Sequence, residues 1–182
     1  MLTGRKVALR ARIGSDVPIL HSGLYEDVET HATSDTRAWQ PISLDTDASP
    51  FRVREPVDKV SAFTVALLDD DRVAGDAVMW EIDRHNRSAH LGIALLPEMR
   101  GLGLGADVVA VLSRHAFHTL GLHRLQIETN VDNAAMLAVA RGAGFAVEGT
   151  LRSASWANGR FVDEVILGLL ADEWWAAHPL TS

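Results

Sequence analysis

The chain contains no cysteine in 182 residues, which removes disulfides, thiolate catalysis and cysteine-ligated zinc together. It also lacks any apolar run near the roughly 18 residues that a membrane-spanning helix needs. Low-complexity tracts and blocks of like charge are missing, and 47% of the residues are apolar, so wholesale disorder is excluded. Arg5, Lys6, Arg10 and Arg12 make the N-terminus basic, but no apolar h-region follows, so it does not read as a signal peptide. What is left is a single domain, 1–182, with a sizeable core and an expected cytoplasmic location.

Seventeen basic residues stand against twenty-four acidic ones, for a net charge of −7. Nonspecific nucleic-acid binding draws its affinity from neutralised phosphates, so that sign argues against it. Seven of the acids (Asp16, Glu26, Asp27, Glu29, Asp35, Asp45, Asp47) fall in one segment, whose only lysine or arginine is Arg37. Such a segment is either a solvated helical face or a surface that attracts a cationic partner.

Lys6–Ile13 alternates Val7, Leu9 and Ala11 with basic residues, the period of a strand. Ser15 or Asp16 can cap a helix that tolerates Pro18 in its first turn and carries an Ile19, Leu20, Leu24, Val28 stripe. Prolines and small polar residues make 41–56 a loop. Phe63–Leu68, Arg72–Ile82 and Ser88–Leu96 then read as three strands joined by short turns, an antiparallel meander. After Leu96 a helix follows from Leu104, with Val108, Val111, Leu112, Ala116 and Leu120 inward and Gly121 as its stop. Asp107 near its start suits the positive end of the helix dipole. Leu125, Ile127 and Thr129 mark another strand, and Asp132 or Asn133 can cap a second helix ending near Gly142–Gly144. Phe145–Ser155 and Phe161–Leu170 form a hairpin, with Asn158-Gly159 suited to a type I′ turn. The order β-α-(α)-β-β-β-α-β-α-β-β describes an α/β (α+β) domain with a mixed sheet.

Between Leu96 and this helix lies Gly101-Leu102-Gly103-Leu104-Gly105. A strand, a glycine-rich turn and a helix N-terminus together make an anion site, because free N–H groups and the helix dipole converge there. Gly101-x-Gly103-x-x-Ala106 formally fits the dinucleotide fingerprint, with Glu128 near the place of a ribose-binding acid. Four residues separate strand and loop, however, and the preceding strands are hairpin-connected, whereas a dinucleotide fold needs parallel strands on both sides. A phosphate-binding Gly-Lys-Ser/Thr is absent as well.

Counted from the arginine, Arg100-Gly101-Leu102-Gly103-Leu104-Gly105 fits Arg/Gln-x-x-Gly-x-Gly/Ala and resembles the pyrophosphate loop of the GNAT superfamily of acyl-CoA-dependent N-acyltransferases. Leu2 to Arg10 is similar to the opening strand of its ribosomal-protein N-terminal acetyltransferase (RimJ/RimL-like) branch, and Arg87 to Gly92 to its central strand. Asn133 to Phe145, Glu148 to Arg152, Asn158 to Arg160 and Glu173-Trp174 continue the likeness in order, so it covers essentially the whole chain.

The resemblance implies a GNAT fold: a mostly antiparallel sheet of about seven strands, flanked by helices, whose central strands splay apart. Acetyl-CoA would be the co-substrate, with no metal, and a primary amine the acceptor: a protein N-terminus, a polyamine, an antibiotic or a small metabolite. The alternative is a module that binds acyl-CoA without catalysis. Backbone groups of Ile93, Ala94 and Leu95 would pair with the pantetheine, and Arg100, Gly101, Leu102, Gly103, Leu104, Gly105 and Ala106 would hold the pyrophosphate. Asn133 would reach the pantetheine unless it only caps its helix, and Arg141 would meet the outer phosphate unless it is a solvated charge. A homodimer is also in keeping with the likeness. No membrane partner is expected.

The acceptor must attack as a neutral amine, and a lysine-like amine at pH 7.4 forfeits roughly 4 kcal/mol on deprotonation. His90, where relatives often carry a glutamate, and Glu81, beside Trp80, are the candidate bases; a lone strand histidine is otherwise structural. The usual leaving-group acid is missing, because Met136 stands at the serine position and the one tyrosine is Tyr25. Water could serve in its place, since a thiol of pKa about 8.5 leaves readily. His115, His118 and His123 lack the pattern of a metal site and read as surface residues. Trp39, Trp80 and Trp156 read either as core or as the lining of an acceptor pocket.

Overall fold

The computed structural model describes residues 1–34, 37–157 and 159–179. Its centre is one eight-stranded sheet in the order β1-β2-β3-β4-β5-β6-β8-β7. The strands are β1 (Leu2–Thr3), β2 (Val7–Arg10), β3 (Val60–Leu67), β4 (Val73–Asp83), β5 (Ser88–Leu95), β6 (Arg124–Asn130), β7 (Ala146–Ala157) and β8 (Arg160–Leu170). Neighbours run antiparallel except β5 and β6. The α/β architecture with a mixed sheet is therefore as expected from sequence. The eighth strand is Leu2–Thr3, which folds back on Leu9 and Ala8. Gly4 makes that reversal possible: a Cβ there would lie 2.5 Å from the Asp107 carboxylate.

The helices are α1 (Asp16–Leu20), α2 (Val28–Ser34), α3 (Leu104–Arg114), α4 (Ala134–Gly142) and α5 (Ala171–Ala177). One face of the sheet, carrying Leu9, Val65, Met79, Leu91, Leu125, Ile127 and Leu167, forms a dry core with Leu104, Val108, Leu112 and Ala140 of α3 and α4. Five of the six residues of the expected inward stripe are buried, four on α3 and Ala116 on the π-helical segment His115–Thr119 that continues it, and Leu120 is half-buried. Trp174 of α5 closes this core against Phe117, ring centroids 5.6 Å apart.

The first strand is shorter than its alternation suggested, ending at Arg10. From there the chain is tied to Asp16, whose buried carboxylate accepts from Arg10, from the Ile13 N–H and from the Thr64 hydroxyl. Burial pushes the Asp16 carboxyl up, but these donors outweigh it and hold it below the usual range. Ser15, at the cap position, makes no side-chain cap bond. After Leu20 the helix widens into a π-helical segment, His21–Glu26. The expected stripe is only half realised: Leu20 and Leu24 are buried, while Ile19 is 46% exposed in α1 and Val28, beyond an extended break at Asp27, is 48% exposed. At the hairpin tip Gly159 has φ +80°, and Asn158 lies outside the described residues.

Candidate functional site

β5 and β6 pair over three residues only, Ser88↔Arg124, Ala89↔Leu125 and His90↔Gln126, and then part. The opening can be followed atom by atom. Arg87 offers its carbonyl to the His123 and Arg124 N–H groups at 2.6 and 3.2 Å, whereas Leu96 donates its N–H to Ala74 of β4 at 3.0 Å. Backbone groups alternate sides along a strand, so odd-numbered residues of β5 face β6 and even-numbered ones face β4. Ile93 and Leu95 thus turn their N–H and C=O into the gap, while Ala94 directs its own toward Asp76, its partner in register.

The glycine loop closes the far end of this gap. Gly101 and Gly103 both have φ +75°, a left-handed backbone that a side chain resists. Gly103 is the N-cap of α3 and no side chain caps that helix, so its first N–H groups and dipole are left for an anion. Gly105 sits 3.3 Å, measured from an added Cβ, from Ile93, which brings α3 onto the gap. Arg100 donates from Nε to the Leu95 carbonyl at 3.1 Å, placing its guanidinium at the mouth.

Two residues that sequence reading did not connect with the loop shape it. Lys6 Nζ donates to the Leu102 carbonyl at 2.9 Å. Asp107 does more than face the dipole: its carboxylate accepts the backbone N–H groups of Arg5, Lys6 and Val7 at 3.0, 2.7 and 3.1 Å. Burial alone pushes this carboxyl up, yet the three N–H donors more than offset it and hold it below the usual range.

At the point of divergence stands His90, on the sheet face away from the dry core. Trp80 packs beside it with ring centroids 5.4 Å apart. Gly92 leaves room for that indole, since a Cβ there would meet Trp80 at 2.9 Å. The β4–β5 register slips between Trp80 and Asp83, and Glu81 in the bulge has φ +49°. That conformation costs a non-glycine residue about 1 kcal/mol or more. It goes with a carboxylate whose Oε2 lies 3.4 Å from His90 Nε2. The two candidate bases are therefore neighbours at one place.

On the other side Glu128 Oε1 lies 3.7 Å from His90 Nδ1, a buried nitrogen with no hydrogen-bond partner. A polar chain runs on from there across β6. Gln126 donates to Glu128 at 2.6 Å, Arg124 donates to Gln126 at 3.1 Å, and Arg124 also pairs with Glu148. Glu164 of β8 is pushed up first by burial and then by the charge of Glu128. In the sequence Glu128 surfaced only as the ribose acid of a rejected pattern; the alternation Gln126, Glu128, Asn130 was the signal that pointed to this face.

The remaining expected residues fall as follows. Asn133 caps α4: its Oδ1 accepts the Met136 N–H and its Nδ2 donates to Thr129 Oγ1, both at 3.0 Å. Arg141 is exposed near the end of α4. None of Trp39, Trp80 and Trp156 belongs to the core; Trp156 is 64% exposed and only Trp80 touches His90. His115 packs on Phe63 and His118 on Trp175, and burial pushes the His115 imidazole down. Among the described residues no group of three or more histidines and carboxylates could hold a metal. Of the acidic segment, Asp16 is buried in its pair with Arg10, and Asp35 lies outside the described residues. Glu26, Asp27, Glu29, Asp45 and Asp47 remain exposed.

A mixed sheet opened between two parallel strands, with an uncapped helix at the end of the opening, defines the class of CoA-dependent acyltransferase folds. The structure is similar to that of spermidine N-acetyltransferase from Vibrio cholerae in complex with CoA and spermine: TM-score 0.82, 22% identity, 92% of this chain and 97% of the other. The chain belongs to the acetyltransferase (GNAT) domain family, which it matches over residues 7–146. Among relatives in sequence, it is 31% identical over 115 residues to the putative ribosomal N-acetyltransferase YdaF of Bacillus subtilis, 63% of either chain. It is 30% identical over 83 residues to the spermidine N(1)-acetyltransferase of Vibrio cholerae, 46% of this chain and 48% of the relative. The matched stretch thus spans just under two thirds of the first relative's length.

Proposed function

We propose that the protein is an N-acetyltransferase that moves an acetyl group from acetyl-CoA to a cationic primary amine, within one acyltransferase domain, 1–182. The observation that carries this reading is the meeting of two features at one point: the β5–β6 gap opens where His90 and Glu81 stand. Ile93 and Leu95 offer the gap the backbone groups that a pantetheine amide can pair with. A gap-facing N–H beside His90 would stabilise the thioester oxygen as charge develops on it. Arg100, Gly101, Leu102, Gly103, Leu104, Gly105 and Ala106 hold the diphosphate in this reading, with Arg141 toward the outer phosphate.

His90 Nε2 takes the proton of the acceptor ammonium, directly or through one water, with Glu81 next to the same nitrogen. The freed amine attacks the thioester carbonyl, the C–N bond forms, the C–S bond breaks, and the thiolate leaves to be protonated from solvent. Glu81, Glu128 and Glu164 give this place a negative field suited to a cationic acceptor. The acceptor named for the Vibrio cholerae enzymes supports a polyamine, whereas the name of the Bacillus subtilis relative supports a protein N-terminus and the RimJ/RimL-like branch.

Thiol release over a panel of spermidine, an N-terminal peptide, an aminoglycoside and an acidic amine tests the reading. No release with any of them leaves the non-catalytic acyl-CoA module in its place. We also propose that the enzyme is cytoplasmic, works without a metal and forms a homodimer. The pairing is supported by the outer edge of β7, with Val147, Leu151 and Trp156 exposed. Light scattering across concentrations decides that point.

A further inference from the structure

We infer that Lys6 is a phosphate-binding residue of the acyl-CoA site, a side-chain cation delivered to the glycine loop from the turn between β1 and β2. The inference rests on the reading of Arg100–Ala106 as the diphosphate loop. It adds to that loop a residue 96 positions before Leu102 in the chain, which no loop pattern includes.

Lys6 is held in place at both ends. Its own N–H, with those of Arg5 and Val7, is fastened to the Asp107 carboxylate in the first turn of α3. Gly4 lets the turn come that close, since a Cβ there would collide with the same carboxylate. The ammonium then reaches the Leu102 carbonyl at 2.9 Å and lies 3.5 Å from where a Gly103 side chain would begin. That position is the mouth of the uncapped helix. A lysine ammonium has three donors, and the Leu102 carbonyl uses one. Among the described residues no carboxylate forms an ion pair with it. Asp107, the nearby acid, is buried and already satisfied by three backbone N–H groups. Around Gly101 the space is open, with no heavy atom within 4 Å of an added Cβ. A diphosphate bound there meets backbone N–H groups, the helix dipole and two remaining ammonium donors together.

The competing explanation is that Lys6 only props the loop through the Leu102 carbonyl. Acetyl-CoA and acetyl-pantetheine, which lacks the diphosphate and nucleotide, separate the two. With Lys6→Met the expected result is a loss of about tenfold in kcat/KM for acetyl-CoA and in CoA affinity by calorimetry, with acetyl-pantetheine unaffected. Lys6→Arg should restore most of the loss. The salt dependence of CoA affinity should also be shallower in Lys6→Met than in the parent. Parental CoA affinity in Lys6→Met, or an equal loss on both donors, overturns the inference. Should acetyl-pantetheine turn over too slowly to measure, an unchanged salt slope for CoA overturns it alone. Gly103→Val run alongside separates this from the underlying reading: if it too binds CoA as the parent does, the loop assignment fails. If only Lys6→Met is silent, the loop stands and Lys6 is a prop.

Discussion

The two ends of the β5–β6 gap are built from different materials. At the loop end the groups proposed to hold the co-substrate are backbone N–H groups, set in position by Gly101, Gly103 and the start of α3, and fastened from behind by Asp107. At the His90 end they are side chains from three strands: Glu81 from β4, His90 from β5 and Glu128 from β6. At the loop end the carbonyls are taken, Leu102 by Lys6 and Leu95 by Arg100, and the uncapped N–H groups at the start of α3 remain. The His90 end keeps unmet capacity, with a buried Nδ1 that has no hydrogen-bond partner and a Glu81 carboxylate that is 73% exposed. A co-substrate that is always the same suits a rigid backbone cradle. An acceptor that differs from one relative to the next suits side chains, which change by single substitutions without disturbing the strands.

That contrast can be broken most severely at His90. His90→Ala should lower kcat by about 10²–10⁴ while CoA affinity by calorimetry stays parental. The loss should shrink at high pH, where the acceptor ammonium gives up its proton unaided. Glu81→Gln is the paired measurement: if it abolishes turnover while His90→Ala keeps it, the base is Glu81, and if neither matters, orientation carries the reaction.

The loop end should break in the opposite sense. Gly103→Val forces a β-branched residue into a left-handed backbone, at a cost of about 1–2 kcal/mol, and puts its side chain where the ligand approaches. CoA affinity should fall on the order of tenfold or more. A variant that binds CoA like its parent removes the diphosphate assignment.

Asp107→Asn sharpens the comparison by loosening what stands behind the loop. It weakens three charge-assisted bonds to backbone N–H groups, so thermal unfolding at pH 7 should show a loss on the order of 1–3 kcal/mol. Because folding lowers this carboxyl, its stabilisation is complete above the unfolded value of about 3.9 and fades as pH falls through the folded value. The gap in stability between parent and variant should therefore narrow below about pH 4. A gap that stays constant down to pH 2 means that the ionised carboxylate is not what holds the turn.

The smallest effect concerns the acidic field around His90. A cationic acceptor should be favoured over an acidic one by a few-fold, and the preference should fade with added salt, as screening shortens the Debye length from about 8 Å at physiological strength. Equal turnover of both, insensitive to salt, would leave Glu81 and Glu128 without a part in choosing the acceptor.

The strand periods, the glycine loop, the helix stops at Gly121 and Gly144 and the order of elements between Val7 and Leu170 were legible in the sequence, because each rests on residues close together in the chain; the strand Leu2–Thr3 and the helix Ala171–Ala177 were not read. Alternation places Val7, Leu9, Leu125 and Ile127 on one face whatever lies opposite, and Arg100 to Gly105 is a contiguous pattern. Where the local period itself changes, reading fails: the helical run expected to reach Val28 is interrupted by the π-helical turn at His21–Glu26 and the extended Asp27, and the bulge at Glu81 shifts the strand register. Long-range partnerships were out of reach for a related reason. Nothing near Lys6 says that it will meet Leu102, and nothing near Asp107 says that it will take up Arg5, Lys6 and Val7. Glu128 comes beside His90 only because β5 and β6 pair in parallel for three residues. The sequence by itself determined most of the strands and helices between Val7 and Leu170 and the uncapped glycine loop before α3. Only the tertiary structure decided which charges meet, because a side-chain cluster drawn from several strands has no spacing in the chain to announce it.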